Sequence, residues 1–206
     1  MVGAVRIGIL GSGQVGRALA RGWTAHGHEV RIGTRQDAVE DLPVGRPAEV
    51  VADADLVVLA VQGTAAVDLV GSLAAELEGR VLVDATNPLD MSGGAPMLFV
   101  GTTDSLGEQV QRAAPGARVV KAYNTVGNPL MVDPQLPGGP PTMFLAGDDA
   151  DAKERVAGLL RDTGWEVADL GGIAASRWLE AMCMAWVAYG ATHGTWDHAF
   201  KLVRAG

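Results

Sequence analysis

Short apolar runs alternate with amphipathic segments along most of the chain. Short runs rich in apolar and β-branched residues predict strands, and apolar residues recurring every three or four positions predict helices. Strands are predicted at 5–10, 27–33, 55–61, 80–86, 118–122, 142–147 and 165–170. Helices are predicted at 17–23, 48–54, 64–77, 105–113 and 151–163, and residues 174–202 are predicted to be mostly helical. This alternation indicates an α/β fold with a doubly wound, mainly parallel sheet.

The strand and helix pattern predicts two parts of unequal size. Residues 1–172 are predicted to form the α/β domain, and residues 173–206 a small C-terminal helical extension packed on that domain or on a second subunit. Within the extension, Trp178, Met182, Met184 and Trp186 favour packing in a core or a dimer interface, so we expect a homodimer. The longest apolar run, residues 181–191, is well short of the ~20 residues that cross a bilayer.

The first predicted strand runs directly into a glycine-rich turn and a helix. The turn reads Gly11-Ser12-Gly13-Gln14-Val15-Gly16, the spacing of a dinucleotide-binding loop. Gly11 allows the tight turn, Gly13 leaves room for a pyrophosphate, and Gly16 lets the helix pack closely on the sheet. The helix N-terminus offers N–H groups to the phosphates. These residues in this context predict a Rossmann domain that binds a dinucleotide.

The end of the second predicted strand indicates which dinucleotide is bound. An acid at this position would bind a ribose 2′-hydroxyl and repel a 2′-phosphate, whereas Thr34 and Arg35 suit the phosphate. Asp37 lies two residues further on, and we expect the following segment to carry it away. Arg35 could alternatively be a solvated loop cation. The pair favours NADP(H) over NAD(H).

Three further loops follow predicted strands and should converge on one crevice. They contribute Val61 and Gln62, then Asn87 and Pro88, then Asn124. Their place in the fold is the nicotinamide end of the cofactor, where the asparagine amides could orient a carboxamide or a substrate. The alternative is that the Asn-Pro and Gly-Asn-Pro sequences are only turns. We predict that these five residues take part in cofactor binding.

No strong catalytic constellation is visible in the sequence. A carbonyl or imine substrate would require a proton donor, and Lys121 and Tyr123 are the nearest candidates. They would share a face only if the strand continued through both. Lys121 could instead pair with a carboxylate or support the loop. We therefore name no catalytic residue.

Composition narrows the choice of partners and of metals. Lys and Arg total 16 against 24 for Asp and Glu, and the net charge of −8 argues against nucleic-acid or anionic-membrane binding. The single cysteine, Cys183, excludes an internal disulfide framework. The N-terminus enters the first strand without a secretion signal, so we expect a cytoplasmic protein. His193 and His198 lack the spacing of a metal-ligand pair, and we predict no metal.

Several motifs together resemble a known family. These motifs are the glycine loop at residues 11–16, Ile32-Gly33-Thr34-Arg35, Asp84-Ala85-Thr86-Asn87-Pro88, Lys121-Ala122-Tyr123-Asn124-Thr125 and Ala146-Gly147-Asp148-Asp149. The chain resembles the NADP oxidoreductases of the coenzyme F420-dependent type, and also the cytosolic part of the six-transmembrane metalloreductases. The resemblance implies that NADPH binds the glycine loop and the Thr34–Arg35 pair. Hydride would then pass between the nicotinamide and a flavin or deazaflavin.

The resemblance is weaker on the acceptor side. The deazaflavin enzymes carry a histidine where Asn124 stands, and Pro-Trp where Gln62-Gly63 stands. We therefore predict an NADP(H)-dependent oxidoreductase whose acceptor is a flavin, a deazaflavin of the F420 type or a small organic molecule. A carbonyl or imine reductase, and a non-catalytic NADPH-sensing module, remain alternatives.

Overall fold

The computed structural model describes residues 3–205 of the chain. Its strands are β1 (Arg6–Leu10), β2 (Glu29–Gly33), β3 (Val44–Gly45), β4 (Leu56–Leu59), β5 (Val81–Asp84), β6 (Leu89–Asp90), β7 (Met97–Leu98), β8 (Arg118–Lys121), β9 (Thr142–Gly147) and β10 (Glu166–Asp169). Its α-helices are α1 (Gln14–Ala25), α2 (Pro47–Asp53), α3 (Gly63–Ser72), α4 (Leu106–Ala113), α5 (Ala150–Asp162) and α6 (Ser176–His193). Short 3₁₀ helices cover Asn128–Leu130 and Ile173–Ala175.

The main sheet confirms the predicted doubly wound architecture. Its strand order is β10-β9-β8-β5-β4-β1-β2-β3, and all neighbours run parallel except β8 and β9. Strands β6 and β7 form a separate antiparallel hairpin. The chain leaves β1 towards one edge and returns at β4 towards the other, so the topological switch point lies between β1 and β4. In open sheets of this kind, ligands bind at that point.

Helices cover both faces of the sheet because the strands are apolar on both sides. Buried residues of α1 and α5 pack on one face, and those of α2, α3 and α4 pack on the other. Helix α6 contacts α4 and β9, where Leu179 joins Phe144 and Ala168 in a small third core. The C-terminal helix therefore packs on the sheet beside α4.

Two predicted helices end earlier than the sequence pattern indicates. Helix α3 ends at Ser72 rather than at residue 77, although Leu73 and Leu77 remain buried in the same core. A series of turns buries those leucines at helix-like spacing, which explains the misleading periodicity. The expectation that residues 174–202 are mostly helical is wrong beyond His193.

The C-terminal tail folds back along α6 instead of continuing it. Gly194 adopts φ +66°, a left-handed conformation that commonly ends a helix. The Trp186 indole N–H then donates to the His198 carbonyl at 2.9 Å. Further along, the Thr142 N–H donates to the Phe200 carbonyl at 2.8 Å. The tail is thereby attached both to α6 and to the start of β9.

Candidate nucleotide-binding cleft

The glycine loop lies at the switch point, between the ends of β1 and β4. Gly11 has φ +126°, and a Cβ there would lie 2.3 Å from the Ala60 carbonyl oxygen. A Cβ at Gly16 would lie 2.1 Å from the Gly11 carbonyl oxygen. Both positions therefore require glycine. At Gly13, by contrast, a Cβ would meet nothing within 4 Å, so the space in front of this residue is open.

The N-terminus of α1 faces that open space without a side-chain cap. Gly13 is the N-cap residue, and the Arg17 N–H donates to its carbonyl at 3.0 Å. The N–H groups of Gln14, Val15 and Gly16 precede this first intrahelical bond, and the first turn carries no acidic residue. Exposed N–H groups at a helix N-terminus bind anions such as a pyrophosphate. These residues fit a dinucleotide.

Thr34 joins the end of β2 to the glycine loop. Its N–H donates to the Gly45 carbonyl at 3.0 Å, and its hydroxyl lies 3.4 Å from the hydroxyl of Ser12. Arg35 follows and is exposed to solvent. Thr34 and Arg35 are thus consecutive residues one strand away from the glycine loop, and they supply the hydroxyl and the guanidinium that suit a 2′-phosphate.

A second arginine, not predicted from the sequence, lies next to this pair. The Arg46 guanidinium donates to the Arg35 carbonyl at 2.9 Å and lies 3.4 Å from the Asp37 carboxylate. Asp37 is thus turned towards Arg46, and its side chain is 95% exposed. Arg46 follows β3, a strand of two residues that was too short for the sequence pattern to reveal. It places a second positive charge near Thr34.

A cleft of about 680 Å³ opens where β1, β4 and β5 end. Its wall includes four of the predicted residues: Val15, Val61, Gln62 and Asn87. The hairpin β6–β7 and the residue after it add an apolar side, which contains Met91 and Phe99. Pro88 is buried, and its carbonyl accepts a hydrogen bond from the Phe99 N–H at 2.9 Å. Pro88 therefore connects the loop to the hairpin.

Asn124 lies behind Asn87 rather than in the wall of the cleft. Its side chain is buried, and its amide donates to Asn87 Oδ1 at 3.1 Å and to the Leu179 carbonyl at 2.8 Å. The Asn87 amide donates in turn to the Asn124 carbonyl at 2.8 Å. The sequence led us to expect both amides to face a ligand. In the structure their N–H groups are used to join the two loops.

Directly beneath this pair lies a buried cluster of three charged residues. Lys121 Nζ lies 3.0 Å from Asp84 and 2.9 Å from Glu180, and all three side chains are at most 1% exposed. Burial alone would lower the pKa of Lys121, but the two carboxylates outweigh burial and hold this pKa above its usual value. Lys121 therefore keeps its proton and acts as a structural cation. The sequence suggested a carboxylate partner for Lys121, and the structure supplies two.

Tyr123 points away from Lys121, into the other helical layer. It adopts φ +63°, so the alternation of strand β8 stops before it. Its ring packs edge-on against Trp23 of α1, with centroids 5.8 Å apart. Burial raises the pKa of the Tyr123 hydroxyl above its usual value. Lys121 and Tyr123 are therefore not a paired proton donor facing the cleft.

Outside the cleft, the described residues contain no cluster of metal ligands and no membrane-spanning helix, but they do form a second depression. Between residues 3 and 205, no three His, Cys, Asp or Glu side chains are placed to hold a metal ion. His193 and His198 instead lie against the ring of Tyr189. A larger depression of about 860 Å³ lies at the amino ends of β1 and β2, away from the glycine loop. Over the same residues, no helix has the length and hydropathy needed to span a bilayer.

Comparison with known proteins assigns the chain to a family. The family model for the NADP oxidoreductases, coenzyme F420-dependent, matches residues 6–88. An F420-dependent NADP reductase from Methanothermobacter marburgensis is 30% identical over 200 residues, covering 85% of this chain and 88% of the relative. The chain belongs to the F420-dependent NADP reductase family. It is therefore an NADP-dependent oxidoreductase, as the sequence predicted.

Two further proteins are similar to this chain. A candidate F420-dependent NADP reductase from Arthrobacter sp. FB24, known from its crystal structure, is 40% identical. It superposes with a TM-score of 0.90, covering 98% of this chain and all of that one. Metalloreductase STEAP3 from Rattus norvegicus is 29% identical over 186 residues. The match covers 87% of this chain but 36% of the metalloreductase, so this chain spans about a third of the length of that protein.

Proposed function

We propose that the protein binds NADP(H) across the switch point and transfers hydride between the nicotinamide and an acceptor in the adjoining cleft. The observation that carries this proposal is the junction of the glycine loop with Thr34, through the Ser12 hydroxyl 3.4 Å away. Gly11, Ser12, Gly13, Gln14, Val15 and Gly16 would hold the pyrophosphate, and Thr34 and Arg35 the 2′-phosphate. When bound, NADPH supplies the hydride.

The residues of the cleft would position the reactants and exclude water. Val61, Gln62 and Asn87 lie at the carboxyl ends of β4 and β5, where the nicotinamide end of the cofactor is expected. Pro88 and Asn124 support this wall from behind. Holding two reacting atoms in contact is a large part of the catalytic task in hydride transfer. The site needs no dedicated acid when the acceptor is a flavin or deazaflavin.

The lining of the cleft also bears on the chemical class of the acceptor. We propose a planar ring acceptor, a flavin or a deazaflavin of the F420 type, because the hairpin supplies an apolar wall containing Met91 and Phe99. The F420-dependent relatives support this class. A small organic acceptor would use the same cleft. A carbonyl or imine reductase receives less support, since both candidate proton donors, Lys121 and Tyr123, are fully buried.

One experiment separates these functions. NADPH oxidation is followed at 340 nm with F420, FMN, riboflavin and a cyclic imine as acceptors, and NADPH binding is titrated separately by fluorescence. We expect oxidation with at least one ring acceptor and little with the imine. Rapid turnover with the imine alone would favour the imine reductase. Tight NADPH binding without turnover of any acceptor would favour the sensing module.

We also propose that the protein is a cytoplasmic homodimer. Trp178 and Tyr189 on α6 are 60% and 50% exposed, although the same helix buries Leu179 and Cys183. Residues 173–206 would then act as an extension of the 1–172 domain that contacts the second subunit as well. Light scattering of the purified protein tests this. A monomer at micromolar concentration would contradict it.

A further inference from the structure

Helix α6 is bonded to the end of β8 and to the loop that follows this strand, and it makes these contacts through two consecutive residues. The Leu179 carbonyl accepts from the Asn124 amide at 2.8 Å. Glu180 contacts Lys121 at 2.9 Å and is 1% exposed. Neither contact belongs to the glycine loop or to the 2′-phosphate region. The C-terminal helix therefore reaches the cleft from behind.

The contacts continue from Glu180 to the wall of the cleft without a break. Lys121 Nζ donates to Asp84 Oδ2 at 3.0 Å. Asp84 Oδ1 accepts from the Thr86 N–H at 2.9 Å and from the Thr86 hydroxyl at 2.6 Å. Thr86 and the adjacent Asn87 both line the cleft. Four buried side chains thus join α6 to the surface that faces the ligand.

Glu180 also fixes helix α4. Its carboxylate accepts from the Leu106 N–H at 3.0 Å and from the Gly107 N–H at 2.9 Å. Its negative charge at this helix N-terminus is favourable, and it offsets the charge of Lys121 at the same time. The orientation of Glu180 is therefore determined from two sides. A carboxylate held this firmly can define the position of Lys121.

We propose that Glu180 is a positioning residue for hydride transfer, acting through Lys121 and Asp84 on the Thr86–Asn87 edge of the cleft. This inference rests on the proposed function. Small displacements of a reacting group change the rate of a chemical step far more than they change the affinity for a cofactor held elsewhere. The loss of Glu180 should therefore reduce the rate of hydride transfer while NADPH binding persists.

The chain offers a matched control for this test. Arg177, three residues before Glu180, makes a two-pronged ion pair with Glu108 at 2.8 Å and 2.5 Å. This pair also ties α6 to α4, but it makes no contact with Lys121 or Thr86. Comparison of Glu180→Gln with Arg177→Gln thus separates loosening of the helix pair from loss of the path to the cleft.

The experiment measures the melting temperature, the NADPH dissociation constant and the single-turnover rate of hydride transfer for both variants. We expect both to melt below the wild type, and both to bind NADPH within about twofold of it. The transfer rate should fall about tenfold or more in Glu180→Gln and less than about twofold in Arg177→Gln. Equal rates in the two variants would overturn the proposal.

A second pair of variants covers the case in which Glu180→Gln does not fold. Thr86→Val removes the hydroxyl at the other end of the path, and Thr86→Ser keeps it. The valine variant should lose transfer rate, and the serine variant should recover most of it. A serine variant as slow as the valine variant would contradict a role for this hydrogen bond.

A readout that needs no turnover distinguishes failure of this inference from failure of the proposed function. Hydrogen exchange of the Thr86 N–H, which donates to Asp84, should accelerate in Glu180→Gln but not in Arg177→Gln. If the wild-type protein reduces no acceptor, the proposed function is wrong, and this exchange measurement still tests whether Glu180 holds the loop. Unchanged exchange in Glu180→Gln would refute the positioning role.

Discussion

Asn87 and Asn124 bind each other through two hydrogen bonds, one from each side-chain amide. Asn87 Nδ2 donates to the Asn124 carbonyl at 2.8 Å, and Asn124 Nδ2 donates to Asn87 Oδ1 at 3.1 Å. Because Asn124 also donates to the Leu179 carbonyl, the amide of Asn124 holds Asn87 and α6 together. Asn87 faces the cleft with its orientation already determined. Preorganisation of this kind lowers the cost of aligning a ligand.

Replacement of Asn124 should therefore affect chemistry more than cofactor binding. Asn124→Ala removes donors to Asn87 and to Leu179, at a cost of about 1–3 kcal/mol in the free energy of unfolding. The hydride-transfer rate should fall, while NADPH affinity remains close to that of the wild type. Stopped-flow absorbance and chemical denaturation measure the two effects. Asn128→Ala, at the start of the 3₁₀ helix that follows this loop, is the control, and an equal loss of rate there would contradict the interpretation.

Arg35, which follows β2, and Arg46, which follows β3, should determine the preference for NADPH. If Arg35 binds the 2′-phosphate as proposed, Arg35→Ala removes a charge-assisted contact and should weaken NADPH binding about 10- to 100-fold, with little change for NADH. Arg46→Ala should weaken NADPH binding to a smaller extent, since Arg46 also contacts Asp37 and the Arg35 carbonyl. Calorimetric titration with both nucleotides measures this. Equal losses for NADPH and NADH would refute the phosphate assignment.

Local sequence patterns were enough to predict the glycine loop and every strand of the main sheet except β3. Each of these signals lies within a few consecutive residues: the apolar runs, the glycine spacing and the Thr34–Arg35 pair. They can therefore be recognised from the sequence alone. The cluster of Asp84, Lys121 and Glu180 was not predictable in the same way. Its members come from β5, β8 and α6, which only the folded sheet brings together.

The orientation of side chains after β8 could not be predicted for a different reason. Strand alternation places Lys121 and Tyr123 on one face, but φ +63° at Tyr123 reverses the direction of its side chain. The sequence around Tyr123 does not indicate a left-handed conformation, which glycine and asparagine adopt far more often than tyrosine. The location of Asn124 behind Asn87 follows from the same turn.

Tyr123→Phe should leave catalysis unchanged. The Tyr123 ring is 1% exposed and packs on Trp23, and its buried hydroxyl interacts only weakly, with Thr163 and Trp23. Removal of such a hydroxyl is expected to be neutral or slightly stabilising. Steady-state kinetics and thermal unfolding measure the outcome. A large fall in kcat would instead support Tyr123 as a proton donor, and it would favour the alternative that the protein is a carbonyl or imine reductase.

Cys183 should be unreactive in the folded protein. It lies on α6 close to Glu180, and burial raises the pKa of its thiol to about 11. The thiolate is the reactive form, so at pH 8 almost all of this side chain is protonated and shielded. An aromatic disulfide reagent at pH 8 should label Cys183 only after denaturation. Rapid labelling of the native protein would show that α6 opens readily from the sheet.

Gly63 should tolerate no side chain, because α3 begins against the Asn87 loop. A Cβ at Gly63 would lie 2.2 Å from the Asn87 carbonyl oxygen, so Gly63→Ala must push the two walls of the cleft apart. We expect a loss of about 1–3 kcal/mol in the free energy of unfolding, and a slower hydride transfer.

The same substitution elsewhere in α3 provides the control for Gly63→Ala. Gly71 is exposed, and a Cβ there would meet nothing within 4 Å. Gly71→Ala should therefore stabilise the protein by up to about 1 kcal/mol, through helix propensity alone, and leave the transfer rate unchanged. Denaturation curves and single-turnover rates of the two variants, measured side by side, give opposite signs if the close approach at Gly63 shapes the cleft. Stabilisation of both variants would mean that helix propensity, rather than the contact with Asn87, accounts for the change.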